Sequence, residues 1–164
     1  MTEFLMALFS GVPASVTTVL LAAIPVTELR ASLPIALLYF HLSIVESVVF
    51  SLVGNTIPLL LMFGLFQPFL NWLTIHVPKL HQLMQMRFAV LEQKHQDAYQ
   101  RWGALFLFIF VAIPLPGSGV WTGSLLAILF RVQPKLSVPA IFLGMICSAG
   151  IVLFLTLGIE SMTV

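Results

Sequence analysis

Two long apolar runs dominate the chain, one in each half, at Ile44 to about Phe66 and at Val138 to Leu157. An α-helix needs about 20 mostly apolar residues to cross a hydrocarbon core of roughly 30 Å, and both runs meet that length. The pattern therefore predicts two membrane-spanning helices.

A shorter apolar arm, a break and a short apolar return precede each long run. In the first half these pieces are about residues 4–24, Pro25–Pro34 and 35–40. In the second half they are Trp102–Ile113, Pro114–Gly123 and Ser124–Phe130. Apolar pieces of about 10–14 residues are typical of re-entrant segments, and closely spaced prolines do not fit an uninterrupted helix. We therefore predict that each half forms a hairpin dipping into the membrane, followed by one spanning helix.

The two halves also match weakly in sequence. Ala22–Pro25 is similar to Val111–Pro114, Leu38–His41 is similar to Ile128–Arg131, and Gly54 corresponds to Gly144. The shared order of arm, break, return and span favours a duplication. The predicted fold class is an all-α integral membrane protein, an inverted repeat of re-entrant hairpin plus transmembrane helix with a central amphipathic helix. A single membrane domain is expected over 1–164, with repeat 1 at about 4–73 and repeat 2 at about 102–158.

Residues 79–101, between the halves, carry apolar positions at helical spacing. They predict an amphipathic connector in the membrane interface, with a plain cytoplasmic helix as the alternative. If both hairpins return to their side of entry, six of the seven basic residues share one face: Lys79, Arg87, Lys94, Arg101, Arg131 and Lys135. The positive-inside rule assigns this face to the cytoplasm. We therefore expect a cell-membrane protein with a cytoplasmic connector and both termini outside.

Composition supports the membrane assignment. Of the 164 residues, 60% are hydrophobic and 8% are charged, whereas a soluble domain carries about 25% charged residues. The net charge of +1 gives no reason to expect a nucleic-acid partner. The single Cys147 allows no intrachain disulfide, and the first residues lack the basic region of a cleaved signal peptide.

Two charges stand within the first break, at Glu28 and Arg30. A charge near a membrane centre costs about 2.5–3.5 kcal/mol on insertion scales, which favours a functional role. In that interpretation Arg30 binds an anionic group through its planar fork of donors, and Glu28 accepts and releases a proton or cation. The alternative is an ion pair that only locks the hairpin, or a loop that reaches the outer surface.

The second break has no charge but contains Pro116, Gly117, Ser118 and Gly119. Its glycines leave backbone N–H groups accessible, and a helix starting near Trp121 would point its positive dipole end at the same place. Such half-helices form anion sites in transporters, and Ser118 and Thr122 add hydroxyl donors. A glycine-lined turn for close helix packing is the alternative, with Trp121 filling space.

The candidate substrate- or ion-binding residues are Glu28, Arg30, Ser32, Asn55, Pro116, Gly117, Ser118, Gly119, Trp121 and Thr122. For Asn55, in the middle of a long run, an interhelical hydrogen bond is the simpler explanation. We expect no metal site, because the histidines lack ligand spacing, and no cofactor. Hydrolase motifs are absent, so the chain is not expected to be an enzyme; Ser118 with His41 is the only nucleophile–base pair we can name.

The break Glu28–Pro34, paired with Pro114–Gly123, resembles the small multi-drug export protein family, which is itself similar to the DedA and VTT-domain membrane proteins. The resemblance covers nearly the whole chain and implies opposed re-entrant hairpins and a carrier role, since DedA-type relatives are linked to proton-dependent lipid-carrier translocation and drug tolerance. By position, Glu28 and Arg30 match the first motif. Those that match the second are Pro116, Gly117, Gly119, Trp121 and Gly123. DedA proteins carry further charged residues in their hairpins, and the second break here has none.

The expected function is a small transporter or flippase, proton-coupled or passive, that moves an amphipathic and anionic substrate such as a lipid phosphate. The alternatives are an exporter of cationic drugs and a non-transporting membrane scaffold or assembly factor. Membrane lipids are the expected surroundings. The small spanning mass favours a homodimer, because a monomer scarcely encloses a water-filled route.

Overall fold

The computed structural model describes residues 11–76, 96–115 and 117–163, and the side-chain surroundings within 11–65, 101–115 and 117–159. Across these ranges the secondary structure is helical and contains no strand. The helices are α1 (Ala14–Ala23), α2 (Glu28–Pro34) with a π-helical turn (Ile35–Tyr39), α3 (Ile44–His76), α4 (Gln96–Ala112), α5 (Val120–Leu129) and α6 (Pro134–Thr163). The all-α prediction is confirmed.

Within the described ranges, two segments are long and apolar enough to cross a membrane: Ile44–Leu65 of α3 and Pro134–Ile159 of α6. They coincide with the two long runs of the sequence. The remaining apolar helices have 10–17 residues, as expected for the arms and returns. Large apolar side chains such as Val45 and Phe154 are 71% and 78% exposed, which suits a lipid surrounding better than water.

Both breaks are shorter than the sequence predicted. In the first half only residues 24–27 separate α1 from α2, and Pro34 lies inside the helix rather than ending it. A proline lacks the N–H donor and crowds the carbonyl four residues earlier, and here the wide π-helical turn follows Pro34 directly. In the second half the non-helical stretch ends at Gly119, because α5 begins at Val120.

The predicted connector at 79–101 lies mostly outside the described residues, and so does Pro116. The last part of the connector, from Gln96, continues into the second arm as one helix, α4. Trp102, the predicted start of the second repeat, therefore lies inside this helix, and the division into connector and repeat stays a prediction.

The chain divides into two compact units. The first contains residues 1–57 and 148–164, and the second contains residues 58–147. Apolar side chains buried in the first unit include Leu21, Leu29 and Leu33. Those of the second include Leu107, Val120 and Ile141.

Within each unit the long helix packs on its own arm at a glycine. A Cβ added at Gly54 would overlap the carbonyl oxygen of Val19 and lie 2.7 Å from the Cβ of Ala22. A Cβ added at Gly144 would lie 2.7 Å from the carbonyl oxygen of Phe108 and 3.1 Å from the Cβ of Val111. These are the glycines that the sequence comparison matched, and Ala22 and Val111 are matched in the same way.

The two returns also end alike. Each closes with a non-glycine residue in the left-handed region, His41 at φ 52° and Arg131 at φ 50°. The next N–H group then bonds back to a carbonyl, from Leu42 to Ala36 at 3.0 Å and from Val132 to Ala127 at 2.9 Å. This bond spans one more residue in the first return, which contains the π-helical turn. A left-handed residue with such a back-bond is a standard helix ending.

Candidate functional site

Three polar residues on α3 form a buried polar stripe, Ser47, Ser51 and Asn55. They are 0%, 0% and 3% exposed and follow each other at intervals of four residues, so they share one face of the helix. The hydroxyl of Ser32 on α2 donates to Ser51 Oγ at 3.0 Å. The stripe therefore faces α2.

The Ser32–Ser51 bond sets the register between α2 and α3. The chain reverses between these helices in a short turn at residues 40–43, so they run antiparallel. Glu28 lies four residues before Ser32 and Asn55 four residues after Ser51, each one helical turn further from the reversal. Glu28 and Asn55 therefore lie at the same level of this antiparallel helix pair, which we call the Glu28–Asn55 level.

Glu28 is the first residue of α2 and its side chain is buried, with 6% exposed. Its φ of 44° lies in the left-handed region, which costs a residue with a Cβ roughly 1–2 kcal/mol. The preceding Thr27 donates its hydroxyl to the carbonyl of Leu21, which fixes the turn between α1 and α2. A buried carboxylate in a strained backbone conformation is the kind of outlier found at functional sites.

Arg30 lies on the same short helix and is half-buried. Its guanidinium and the Glu28 carboxylate interact electrostatically. The structure thus brings together the two charges of the first break. This proximity fits both the substrate-site interpretation and the locking ion pair.

Asn55 differs from its expectation. The sequence favoured an interhelical hydrogen bond, but Asn55 Oδ1 is buried and has no hydrogen-bond partner among the described residues. The observed interhelical bond joins Ser32 and Ser51 instead. Sequence analysis missed Ser47 and Ser51, although serines at four-residue spacing before Asn55 are visible as a polar stripe in an otherwise apolar run.

In the second break the Ser118 side chain forms hydrogen bonds with the backbone of its own loop. Its hydroxyl lies 2.7 Å from the Ile113 carbonyl oxygen and 3.0 Å from that of Leu115, and it accepts the Leu115 N–H at 3.3 Å. Gly117 turns the chain with φ 82°. These bonds of the buried serine stabilise the loop that precedes α5. The predicted contact of Ser118 with a substrate stays a prediction.

The start of α5 carries the other candidates of the second break. No side chain of the described residues caps the helix at Gly119, and Trp121 and Thr122 are half-buried in its first turn. A Cβ at Gly123 would lie 2.6 Å from Val111 Cγ2, so close packing explains this glycine.

The described residues of the second unit contain no counterpart of the Glu28–Asn55 level. Aligning the returns on Ala36 and Ala127 puts Gly119 where Glu28 stands. Aligning the long helices on Gly54 and Gly144 puts the fully buried Met145 where Asn55 stands. In the described part of the chain, the buried Glu28 therefore has no charged equivalent in the second unit.

A protein-family model described as "Putative small multi-drug export protein" matches residues 28–152. The chain belongs to this family. The small multi-drug export family is named as a class of transporters, not of enzymes, and this agrees with the two apolar helices of a membrane protein. The match begins at Glu28, so it covers most of the first predicted break and the whole of the second. Comparison with curated proteins finds no match, and comparison with solved structures finds none either. The similarity to DedA and VTT-domain proteins stays a resemblance.

Proposed function

We propose that this chain is a small membrane exporter that carries an amphipathic substrate past the first hairpin, with Glu28 and Arg30 as its exchange site. The observation that carries the proposal is the buried Glu28 in a left-handed backbone conformation beside Arg30. An ion pair that only locks a hairpin needs no strained backbone, because a glutamate with ordinary φ supplies the same charge. Strain retained at an ionisable residue favours function.

The proposal includes two re-entrant hairpins arranged as an inverted repeat. The equivalent glycine crossings at Gly54 and Gly144 and the equivalent left-handed endings at His41 and Arg131 support the duplication. In this arrangement the basic connector lies on the cytoplasmic side and both termini lie outside. A homodimer would supply the wall that one chain of this size lacks.

The charge of the substrate separates two versions of the proposal. Arg30 favours an anionic head group, such as a lipid phosphate moved by a flippase. In the second unit, the uncapped start of α5 by itself also favours an anion. The buried acceptor Asn55 Oδ1, level with Glu28, favours a cationic compound. In either version Glu28 is the group that accepts and releases a proton during transport.

Flux through proteoliposomes tests the proposal. The purified chain is reconstituted, and efflux of matched anionic and cationic fluorescent amphiphiles is followed under an imposed pH gradient. Glu28→Gln is expected to reduce flux at least tenfold. Glu46→Gln is the matched control, because Glu46 is exposed and only caps α3 through Ser43, a role that glutamine also fulfils. Unchanged flux in Glu28→Gln, with a loss of thermal stability alone, would establish the scaffold alternative instead.

A further inference from the structure

Glu28 and Asn55 indicate the chemical class of the ligand. This inference rests on the proposed function. Asn55 is 3% exposed, and its Oδ1 has no donor among the described residues. A buried acceptor without a donor loses its hydration and gains nothing in return, so native interiors seldom retain one. The retained acceptor points to a ligand that brings its own donor.

The carboxylate that the helix register puts at the same level indicates the charge of that donor. Glu28 and Asn55 lie at the same level of antiparallel helices, each one turn from the Ser32–Ser51 bond. A carboxylate and an amide oxygen together recognise a donor that is itself positively charged. We propose that the Glu28–Asn55 level binds the primary or secondary ammonium group of the exported amphiphile.

The number of acceptors favours ammonium over a metal cation. A primary ammonium group presents three N–H donors and is satisfied by as many oxygens. Hard metal cations instead take about six or more oxygen ligands. The described residues offer the Glu28 carboxylate and Asn55 Oδ1 at this level, with Ser51 Oγ one turn away on the same stripe. This set suits ammonium.

Arg30 is the internal competitor for the same carboxylate. Its charge interacts with Glu28, and because its side chain is only half-buried it can move away at smaller cost than a fully buried one. An arriving ammonium group takes over the interaction with Glu28. Replacing Arg30 by glutamine therefore strengthens ammonium binding, whereas an anion site at Arg30 would lose its ligand.

Binding to the purified chain in detergent tests the inference. Four probes are titrated calorimetrically at neutral pH: octylamine, octyltrimethylammonium, octyl phosphate and sodium ion. We expect octylamine to bind at least tenfold more tightly than octyltrimethylammonium, which has no N–H donor. Asn55→Leu and Glu28→Gln should each weaken octylamine binding at least tenfold, and Arg30→Gln should tighten it. Thr56→Val is the control, since the Thr56 hydroxyl bonds to the Leu52 carbonyl of its own helix at 2.7 Å.

A stability measurement separates a binding role of Asn55 from a structural one. Leucine has nearly the same shape as asparagine, and it removes an acceptor that has no partner. Without ligand, Asn55→Leu is expected to melt at a higher temperature than the native chain, and octylamine should no longer raise that temperature. A lower melting temperature would show that Asn55 is a structural residue and would overturn the inference.

Other outcomes also test the ammonium site. Equal affinity for octylamine in the native chain and in Asn55→Leu, or binding of sodium or octyl phosphate alone, overturns the ammonium site. Proteoliposome flux distinguishes this failure from that of the proposed function. Flux of an anionic amphiphile without octylamine binding rejects the ammonium site and leaves export standing. Octylamine binding without flux of any amphiphile supports the site and rejects export.

Discussion

Gly54 lies directly against the main-chain carbonyl of Val19, so α3 crosses α1 with no side chain between the two backbones. A Cβ at this position would overlap the carbonyl oxygen and approach Ala22 Cβ to 2.7 Å. A backbone group cannot rotate aside as a flexible side chain does. We expect Gly54→Ala to lower the free energy of unfolding by about 1–3 kcal/mol, measured by thermal or denaturant unfolding of the purified chain.

Gly64 provides the matched control on the same helix, because a Cβ there meets nothing within 4 Å. Alanine is the better helix former by about 1 kcal/mol, so Gly64→Ala should leave stability unchanged or raise it. Gly144→Ala should behave like Gly54→Ala, since its Cβ would lie 2.7 Å from the Phe108 carbonyl oxygen. If Gly144→Ala instead behaved like Gly64→Ala, the two crossings would not be energetically equivalent.

The sequence predicted what length and hydropathy determine. Both spanning segments, the short arms and the matched glycines at 54 and 144 were visible, because a membrane span needs only enough apolar residues. The conformations of individual residues were not. The sequence predicts a helix break at Pro34, yet the helix continues through it into a π-helical turn. Propensity alone does not foresee such a local adjustment.

Only part of the candidate site could be predicted from the sequence. Glu28 and Arg30 were visible as charges in an apolar chain, because charge in that setting is rare. The left-handed backbone of Glu28 belongs to the turn between α1 and α2, and the partner of Ser32 depends on how α2 packs against α3; periodicity specifies neither. The serines of the polar stripe can be assigned to the face toward α2 only when the register between α2 and α3 is known.

The Ser32–Ser51 hydrogen bond predicts a coupling between these positions. Both side chains are fully buried, and their bond of 3.0 Å joins α2 to α3. Interhelical hydrogen bonds in membrane proteins contribute about 0.6 kcal/mol on average. A double-mutant cycle of Ser32→Ala and Ser51→Ala should give an interaction energy of about that size. The pair Ser32→Ala and Thr56→Val should be additive, because Thr56 bonds within its own helix. Additivity in the first pair as well would show that the bond has no role in stability.

The π-helical turn predicts an effect of deleting one residue. The first return has one residue more than the second between its closing hydrogen-bonded groups, Ala36 and Leu42. Deleting Leu38, which is 43% exposed, should convert the turn to an α-helix and rotate α2 by about 100° relative to α3. Glu28 and Ser32 would then turn away from the polar stripe of α3. We expect export flux to fall to background while the chain still folds.

Leu38→Ala is the control for this deletion, because it removes the same side chain and keeps the residue count. Its flux should stay within about twofold of the native value, as is usual for exposed positions with little effect on stability. Native flux in the deletion variant would mean that the π-helical turn does not position the site.

The strained backbone of Glu28 predicts that stability and function separate at this residue. Asparagine adopts the left-handed region more readily than glutamate does, and it removes the buried charge. Glu28→Asn should therefore unfold at a higher temperature than the native chain, by roughly 2–4 °C for each kcal/mol of strain relieved. The same variant should lose flux in proteoliposomes as completely as Glu28→Gln, which keeps the side-chain length but not the charge.

A structural role for the Glu28–Arg30 pair predicts the opposite for stability, because removing one partner leaves the half-buried Arg30 without its counter-ion. Thermal unfolding of Glu28→Asn beside Glu28→Gln therefore distinguishes a carboxylate kept for exchange from one kept for packing, and a lower melting temperature in both variants would favour packing.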